Sequence, residues 1–174
     1  DATRLSTWHS GQVVVVVAHC ASLLLVAALA RVVGASDRAS FAAALIFALN
    51  PSFVYFDTQY SYESLALPLA LAAITACAKA KRSTSARSAW TYGALGIVAA
   101  LACIVTHHVS AIFMAAMCLA VAVVIPTRGA SGTARWARLS SWVVALVAIG
   151  GSALWIGFVA RATYSYLDPH FSTT

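Results

Sequence analysis

The chain has 174 residues, of which 61% are hydrophobic and only 9% are charged, whereas about 25% of the residues of a typical soluble domain are charged. This composition excludes an ordinary soluble domain. Eleven Lys and Arg against five Asp and Glu give a formal charge of +6, but the basic residues lie in short clusters between apolar runs, a pattern typical of membrane topology and not of nucleic-acid binding. The sequence therefore predicts an all-α protein, a polytopic transmembrane helix bundle that contacts membrane lipid and no nucleic acid.

Six apolar stretches predict about six membrane spans. Five of them are close to the roughly 20 residues that a spanning helix needs, and they cover residues 12–33, 62–78, 89–105, 109–125 and 140–160. The sixth, Ala39 to Leu49, has 11 residues before Asn50-Pro51, and at about 1.5 Å per residue it is too short for a hydrocarbon core about 30 Å thick. We expect it to break at Pro51 or to continue into residues 52–56. Pro68 is expected to kink the next span, so one or two spans are broken by proline.

The basic residues predict the orientation of these spans. Nine of the eleven lie in three turns between spans: Arg31, Arg38, Lys79, Lys81, Arg82, Arg87, Arg128, Arg135 and Arg138. Cytoplasmic loops retain Lys and Arg, so six alternating spans place all three turns, including a basic loop over residues 127–138, in the cytoplasm. Abundant Ala and the excess of Arg over Lys are typical of a high-GC bacterial genome. We therefore expect a multi-pass protein of the bacterial inner membrane. All its carboxylates except Asp37, and all its histidines except His19 within a span, are expected at the outer face or its boundary.

A polar and aromatic stretch over residues 50–64 is the first candidate site. On a helix that begins at Asn50-Pro51, the side chains of Gln59, Tyr60 and Glu63 share a face, and Asp57 lies one turn earlier. Such a patch at the membrane surface suits a sugar or a phosphate. The alternative is an interfacial aromatic belt whose two carboxylates face water. Glu63 stands where burial begins, and a boundary acid is costly and often functional; either Arg161 or the two histidines described next are its available partners.

Thr106-His107-His108 forms the second candidate cluster, in an outer hairpin between two spans. Contact of His107 or His108 with a phosphate or a hydroxyl, a metal site and a plain interfacial turn are the alternatives. Adjacent residues on a helix point about 100° apart, so the two histidines do not form a chelating pair, and no zinc spacing, glycine-rich phosphate loop or dinucleotide fingerprint occurs. We expect no metal site and no cofactor, with a divalent cation as the alternative left open.

The order of these motifs resembles a known family. It comprises a short apolar helix, Asn-Pro, Phe-Val-Tyr-Phe, Asp-Thr-Gln-Tyr-Ser-Tyr-Glu, a Leu-rich span, a basic turn, a span that starts near Trp, and Thr-His-His. This order is similar to that of C-type (GT-C) polytopic membrane glycosyltransferases of the protein mannosyltransferase and lipid A aminoarabinose transferase clan, especially bacterial cell-surface polysaccharide members. The likeness covers about residues 4–125, and the matching positions are Pro51, 57–63, Thr106 and His107.

The resemblance implies transfer of a sugar from a polyprenyl-phosphate donor to an extracytoplasmic glycan or protein acceptor. Asp57, Gln59, Tyr60 and Glu63 would then hold sugar or acceptor hydroxyls, and His107 or His108 would meet the phosphate. The clan's essential acid lies in the first outer loop, which would precede residue 1, so the catalytic residue is unknown. We therefore expect residues 1–174 to be a single transmembrane domain and a piece of a longer chain. The arginine frequent in the clan's polar stretch is missing, with Ser61 near its place.

Two other classes of function stay open. A transporter or flippase would line a path with broken helices and would distribute polar residues through the depth of the spans. A non-catalytic scaffold subunit of a membrane complex would have no outward pocket.

Overall fold

The computed structural model describes residues 7–51, 62–128 and 131–159. Within these ranges the chain forms six helices and no strand, which confirms the predicted all-α bundle. The helices are α1 (Thr7–Val33), α2 (Asp37–Ala48), α3 (Tyr62–Arg82), α4 (Ala86–Thr106), α5 (His108–Val124) and α6 (Ser131–Phe158).

Four of these helices, α1, α3, α4 and α6, are long and apolar enough to cross a membrane. Helix α5 is also apolar but has only 17 residues, and α2 has 12. The chain is thus a helical transmembrane protein in which two of the described helices are shorter than a typical span.

The two predicted proline positions differ in the structure. Helix α2 starts after the cap residue Ser36, whose hydroxyl accepts a hydrogen bond from the Ala39 N–H, and it ends at Ala48. It therefore breaks before Asn50-Pro51, which is one of the two outcomes that the short apolar run left open. Pro68 instead lies inside α3, which continues without interruption. A proline removes one backbone bond, and membrane helices tolerate this where neighbouring helices pack around them.

The predicted loop over residues 127–138 is wrong from Ser131 onward, because α6 already begins at that residue. Arg135 and Arg138 are exposed on this helix, whereas Ala137 between them is fully buried. One helix thus directs its basic side chains outward while its small residues pack inward. The apolar run marked only the part of α6 suited to hydrocarbon, and the helix extends beyond it.

The side chains of the bundle are small inside and large outside. Helix α3 is central and packs against α1, α4, α5 and α6. Its buried positions are mostly alanine, with Cys77 fully buried, and Met114 and Val144 are the largest fully buried side chains. Large apolar side chains such as Leu24, Val98 and Phe113 are exposed. Small residues let helices approach closely in lipid, so the exposed apolar surface is the face expected to meet acyl chains.

Glycines allow a close approach of this kind between α4 and α6. A Cβ added to Gly96 would lie 3.2 Å from both methyl groups of Val144, and one added to Gly93 would lie 3.2 Å from Cβ of Ser140. Glycine at these two positions therefore lets the two helices pack at a distance that a larger side chain would not fit.

The charged residues divide the bundle into two ends. In the described ranges all nine Lys and Arg lie near the C-termini of α1, α3 and α5 or the N-termini of α2, α4 and α6. We call this the basic end. The opposite end holds Glu63, His107 and His108, and we call it the Glu63 end. The two ends separate the candidate site from every described Lys and Arg.

Candidate functional site

Glu63 and His107 meet because α3 and α4 form an antiparallel hairpin. A turn of three residues, Ser83 to Ser85, joins the two helices, so the start of α3 and the end of α4 lie at the same end of the bundle. Glu63 is in the first turn of α3, and His107 follows α4 directly. Oε1 of Glu63 lies 3.7 Å from Nε2 of His107. Of the partners that the sequence offered for Glu63, the structure thus brings His107 to it.

The packing one turn deeper fixes this pair. Ala66 and Cys103 are both fully buried, and the Cys103 thiol donates to the Ala66 carbonyl oxygen at a distance of 3.7 Å. Each of them is about one helical turn from a member of the pair, Ala66 from Glu63 and Cys103 from His107. The register of α3 against α4 therefore sets the separation between the carboxylate and the imidazole.

His107 is also the single residue that links α4 to α5. Its backbone is extended, with φ −155° and ψ 112°. Its N–H donates to the Cys103 carbonyl at 2.9 Å, and its carbonyl accepts from the Ala111 N–H at 3.1 Å. The Ser110 N–H donates to Nδ1 of the imidazole at 3.4 Å, so His107 acts as the N-cap of α5. Its ring is therefore oriented by the first turn of that helix.

This capping contact favours one tautomer of the neutral imidazole. Because Nδ1 of His107 accepts from the Ser110 N–H, the proton is expected on Nε2, which faces Glu63. The Ser110 hydroxyl lies 2.9 Å from Nδ1. It can donate to Nδ1 of the neutral ring.

The pair is accessible from outside the bundle. The Glu63 side chain is 49% exposed and the His107 side chain 18%. Their separation of 3.7 Å is longer than a direct hydrogen bond, so each group keeps capacity for a further partner. A ligand hydroxyl can donate to the carboxylate while the imidazole N–H donates to a neighbouring oxygen. These are the contacts that a sugar and a phosphate offer.

His108 lies beside this pair as the first residue of α5. The centroids of the His107 and His108 rings are 5.5 Å apart, with the planes tilted by 42°. The hydroxyl of Thr106 donates to the Ala102 carbonyl at 2.7 Å, so its proton is engaged within α4. Across the part of the chain that the structure describes, no three His, Cys, Asp or Glu side chains come together as a metal site.

The remaining predicted site residues, Asp57, Gln59 and Tyr60, lie outside the described residues, as does Arg161. Their placement beside Glu63 stays a prediction. Within the described ranges the candidate site consists of the pair of Glu63 and His107, with His108 next to it.

Sequence reasoning missed Ser110 and Cys103 as supports of the site. Ser110 carried a local signal, because a helix that begins at His108 places the Ser110 N–H within reach of a side-chain acceptor at position 107. Cys103 carried none, because its contact crosses from one helix to another, and sequence spacing says nothing about that distance.

Comparison with known proteins identifies no relative of this chain. The chain matches no family model, and neither a curated protein nor a solved structure shows significant similarity to it.

Proposed function

We propose that this chain is the transmembrane part of a bacterial C-type glycosyltransferase of the inner membrane. It takes a sugar from a polyprenyl-phosphate donor and passes it to a glycan or protein acceptor on the outer side. The observation that carries the proposal is the pair of Glu63 and His107, 3.7 Å apart, at the end opposite every described Lys and Arg. By the positive-inside rule the basic end lies in the cytoplasm, and the pair then opens outward.

The reaction needs the groups that this end offers. The acceptor hydroxyl oxygen attacks the anomeric carbon, the bond between that carbon and the phosphate oxygen breaks, and polyprenyl phosphate leaves. The acceptor proton passes to a general base, which is a carboxylate by the family resemblance. Glu63 accepts a hydrogen bond from a sugar or acceptor hydroxyl, and the Nε2–H of His107 donates to the leaving phosphate. By the family resemblance, Asp57, Gln59 and Tyr60 would hold sugar or acceptor hydroxyls, and His108 would be a further contact to the phosphate.

The distribution of charge supports transfer over transport. A transporter that moves ions or charged substrates places charged groups through the depth of its spans, where they line the path. In the described ranges every Lys, Arg, Asp and Glu lies near one end of the bundle or the other. A site at one face needs no such path.

The test uses the full-length protein in proteoliposomes with labelled polyprenyl-phosphate mannose or polyprenyl-phosphate aminoarabinose. A cell-envelope glycan fraction and a serine- and threonine-rich peptide serve as acceptors, and the rate of label transfer is measured. Glu63→Gln removes a charge-assisted hydrogen bond worth roughly 1.5–3 kcal/mol, so transfer should fall about tenfold or more. His107→Asn should lower the transfer rate similarly, because the shorter side chain no longer brings an N–H donor to the phosphate.

Asp37→Asn is the matched control, since it makes the same carboxylate-to-amide change at the basic end, where the Asp37 side chain is 84% exposed. Its transfer rate should equal that of the wild type. Transfer that is unchanged in Glu63→Gln and His107→Asn would remove this pair from the site. Absence of transfer from both donors by the wild-type protein would contradict the proposed reaction.

A further inference from the structure

A cleft of about 320 Å³ opens at the basic end, away from the candidate site. Four cationic side chains line it: Arg31, Lys79, Arg82 and Arg128. They come from three separate parts of the chain, namely the last turn of α1, the last turn of α3 and the segment between α5 and α6. The tertiary fold therefore brings these cations together from distant positions in the sequence. They are not a run of charge along one helix.

The cleft has little compensating negative charge. No Asp or Glu is among the residues that line it, and in the described ranges Asp37 is the only acid at this end. Asp37 lies 3.0 Å from Arg31, but both side chains are more than half exposed, and such surface pairs contribute little. Like charges repel when held together, so the cleft favours an anion.

Two of the cations are held in place. The guanidinium of Arg82 donates from Nε to the Val32 carbonyl at 3.2 Å and from Nη2 to the Val33 carbonyl at 3.4 Å. The ammonium of Lys79 lies 5.3 Å from the centroid of the Tyr92 ring, within the range of a cation–π contact. A ligand that binds here does not have to order these side chains, which lowers the entropic cost of binding.

Residues with hydroxyl groups also line the cleft. Thr84 lines the cleft beside Ser83 and Ser88. The Ser83 hydroxyl donates to the Lys79 carbonyl oxygen at 2.8 Å and accepts from the Ser88 hydroxyl at 3.2 Å, so Thr84 is the residue that offers a hydroxyl donor to the cleft. Guanidinium, ammonium and hydroxyl donors together are the groups that bind phosphate oxygens in proteins.

The position of the cleft favours a phosphate carried by a lipid. Val32 forms part of its wall, and the neighbouring Val33 is 51% exposed at the end of the apolar helix α1. An acyl chain can therefore lie along the exposed apolar face of α1 while the headgroup occupies the cleft. Anionic headgroups are attracted to basic clusters at the membrane surface.

We propose that this cleft binds the phosphate of an anionic phospholipid headgroup, with Lys79 and Arg128 among its ligands. The inference does not rest on the proposed glycosyl transfer. It predicts that the full-length protein retains phosphatidylglycerol in preference to phosphatidylcholine when native mass spectrometry is done from mixed micelles. It also predicts that millimolar inorganic phosphate does not displace the lipid.

The decisive comparison is between two double variants, each of which removes two positive charges from the basic end. Lys79→Gln with Arg128→Gln should lower phosphatidylglycerol retention by about tenfold or more. Arg87→Gln with Arg135→Gln also removes two positive charges, from exposed side chains that do not line the cleft, and should change retention less than twofold. Equal losses in the two double variants would show attraction to basic charge in general and would overturn the proposal. Equal retention of the two lipids by the wild type would also overturn it, as would displacement by inorganic phosphate, which would indicate a free-anion site.

Discussion

Nζ of Lys81 lies 2.6 Å from the carbonyl oxygen of Ala122, in a contact buried between α3 and the end of α5. In a helix this carbonyl would accept from the N–H four residues later, but that residue is Pro126, which has no N–H. Lys81 replaces the missing donor. A cation at a helix C-terminus also interacts favourably with the helix dipole, so a single side chain both caps the end of α5 and ties it to the central helix.

Lys81→Met should therefore destabilise the bundle. The change keeps an unbranched apolar side chain but leaves the Ala122 carbonyl without a donor in a buried place, at a cost of about 1.5–3 kcal/mol. Thermal unfolding in detergent, followed by circular dichroism, should show a lower Tm. Lys79→Met, two residues away on the same helix, is the control, because the Lys79 ammonium faces the Tyr92 ring and no large change is expected. Equal falls in Tm for both variants would contradict a specific role of Lys81.

Gly96→Leu should weaken the packing of α4 against α6. Val144 is fully buried, and a β-branched side chain in a helix cannot rotate its methyl groups out of the way. Because even a Cβ at position 96 would lie 3.2 Å from those methyl groups, the larger side chain should cost about 1–3 kcal/mol through overpacking.

Gly150→Leu provides the comparison for that variant, since a Cβ at Gly150 would meet nothing within 4 Å. Leucine also has a higher helix propensity than glycine. We expect the Tm of Gly150→Leu to equal or exceed that of the wild type, and that of Gly96→Leu to fall. A Tm for Gly96→Leu at the wild-type value would mean that the two helices separate without cost.

Substitutions at His107 should separate its capping role from its contact with Glu63. His107→Ala removes the acceptor for the Ser110 N–H and should cost about 1 kcal/mol, the usual effect of losing an N-cap. His107→Asn supplies a good N-cap oxygen and should restore the Tm, while the shorter side chain no longer reaches Glu63. If transfer depends on the imidazole, both variants should be impaired. Full transfer by His107→Asn would reduce His107 to a helix cap.

The sequence predicts most helices because apolar length is a direct consequence of membrane thickness. The predicted spans 62–78, 89–105 and 109–125 lie within four residues of the observed ends of α3, α4 and α5. The start of α6 could not be found this way, since nothing in hydropathy distinguishes a basic helical turn from a basic loop. Arg135 and Arg138 are compatible with both, and only the burial of Ala137 against neighbouring helices decides for helix.

The candidate site was predictable as a location but not as a set of contacts. Alternating spans place Glu63 and the histidines at one end, and the structure has them there. Which partner Glu63 takes depends on the register of α3 against α4, which packing at Ala66 and Cys103 sets. Sequence spacing does not encode that register. The anion-binding cleft was hidden for the same reason, because Arg31, Lys79 and Arg128 converge only in the folded bundle.

The orientation of the bundle can be tested by cysteine labelling in intact bacterial cells that express the protein. The native Cys77, Cys103 and Cys118 are fully buried and should not react, whereas Cys20 is exposed and is first replaced by alanine.

In the Cys20→Ala background, Tyr62→Cys places a thiol at the Glu63 end, where Tyr62 is 76% exposed. Thr84→Cys places one in the exposed turn at the basic end. Lys and Arg near the ends of spans are retained in the cytoplasm, so an impermeant maleimide should label Tyr62→Cys in intact cells and Thr84→Cys only after permeabilisation. Labelling in both conditions should be compared with the Cys20→Ala protein itself, which should stay unlabelled. The reverse pattern would place the pair of Glu63 and His107 in the cytoplasm, where it could not act on an extracytoplasmic acceptor. That result would contradict both the orientation and the proposed function.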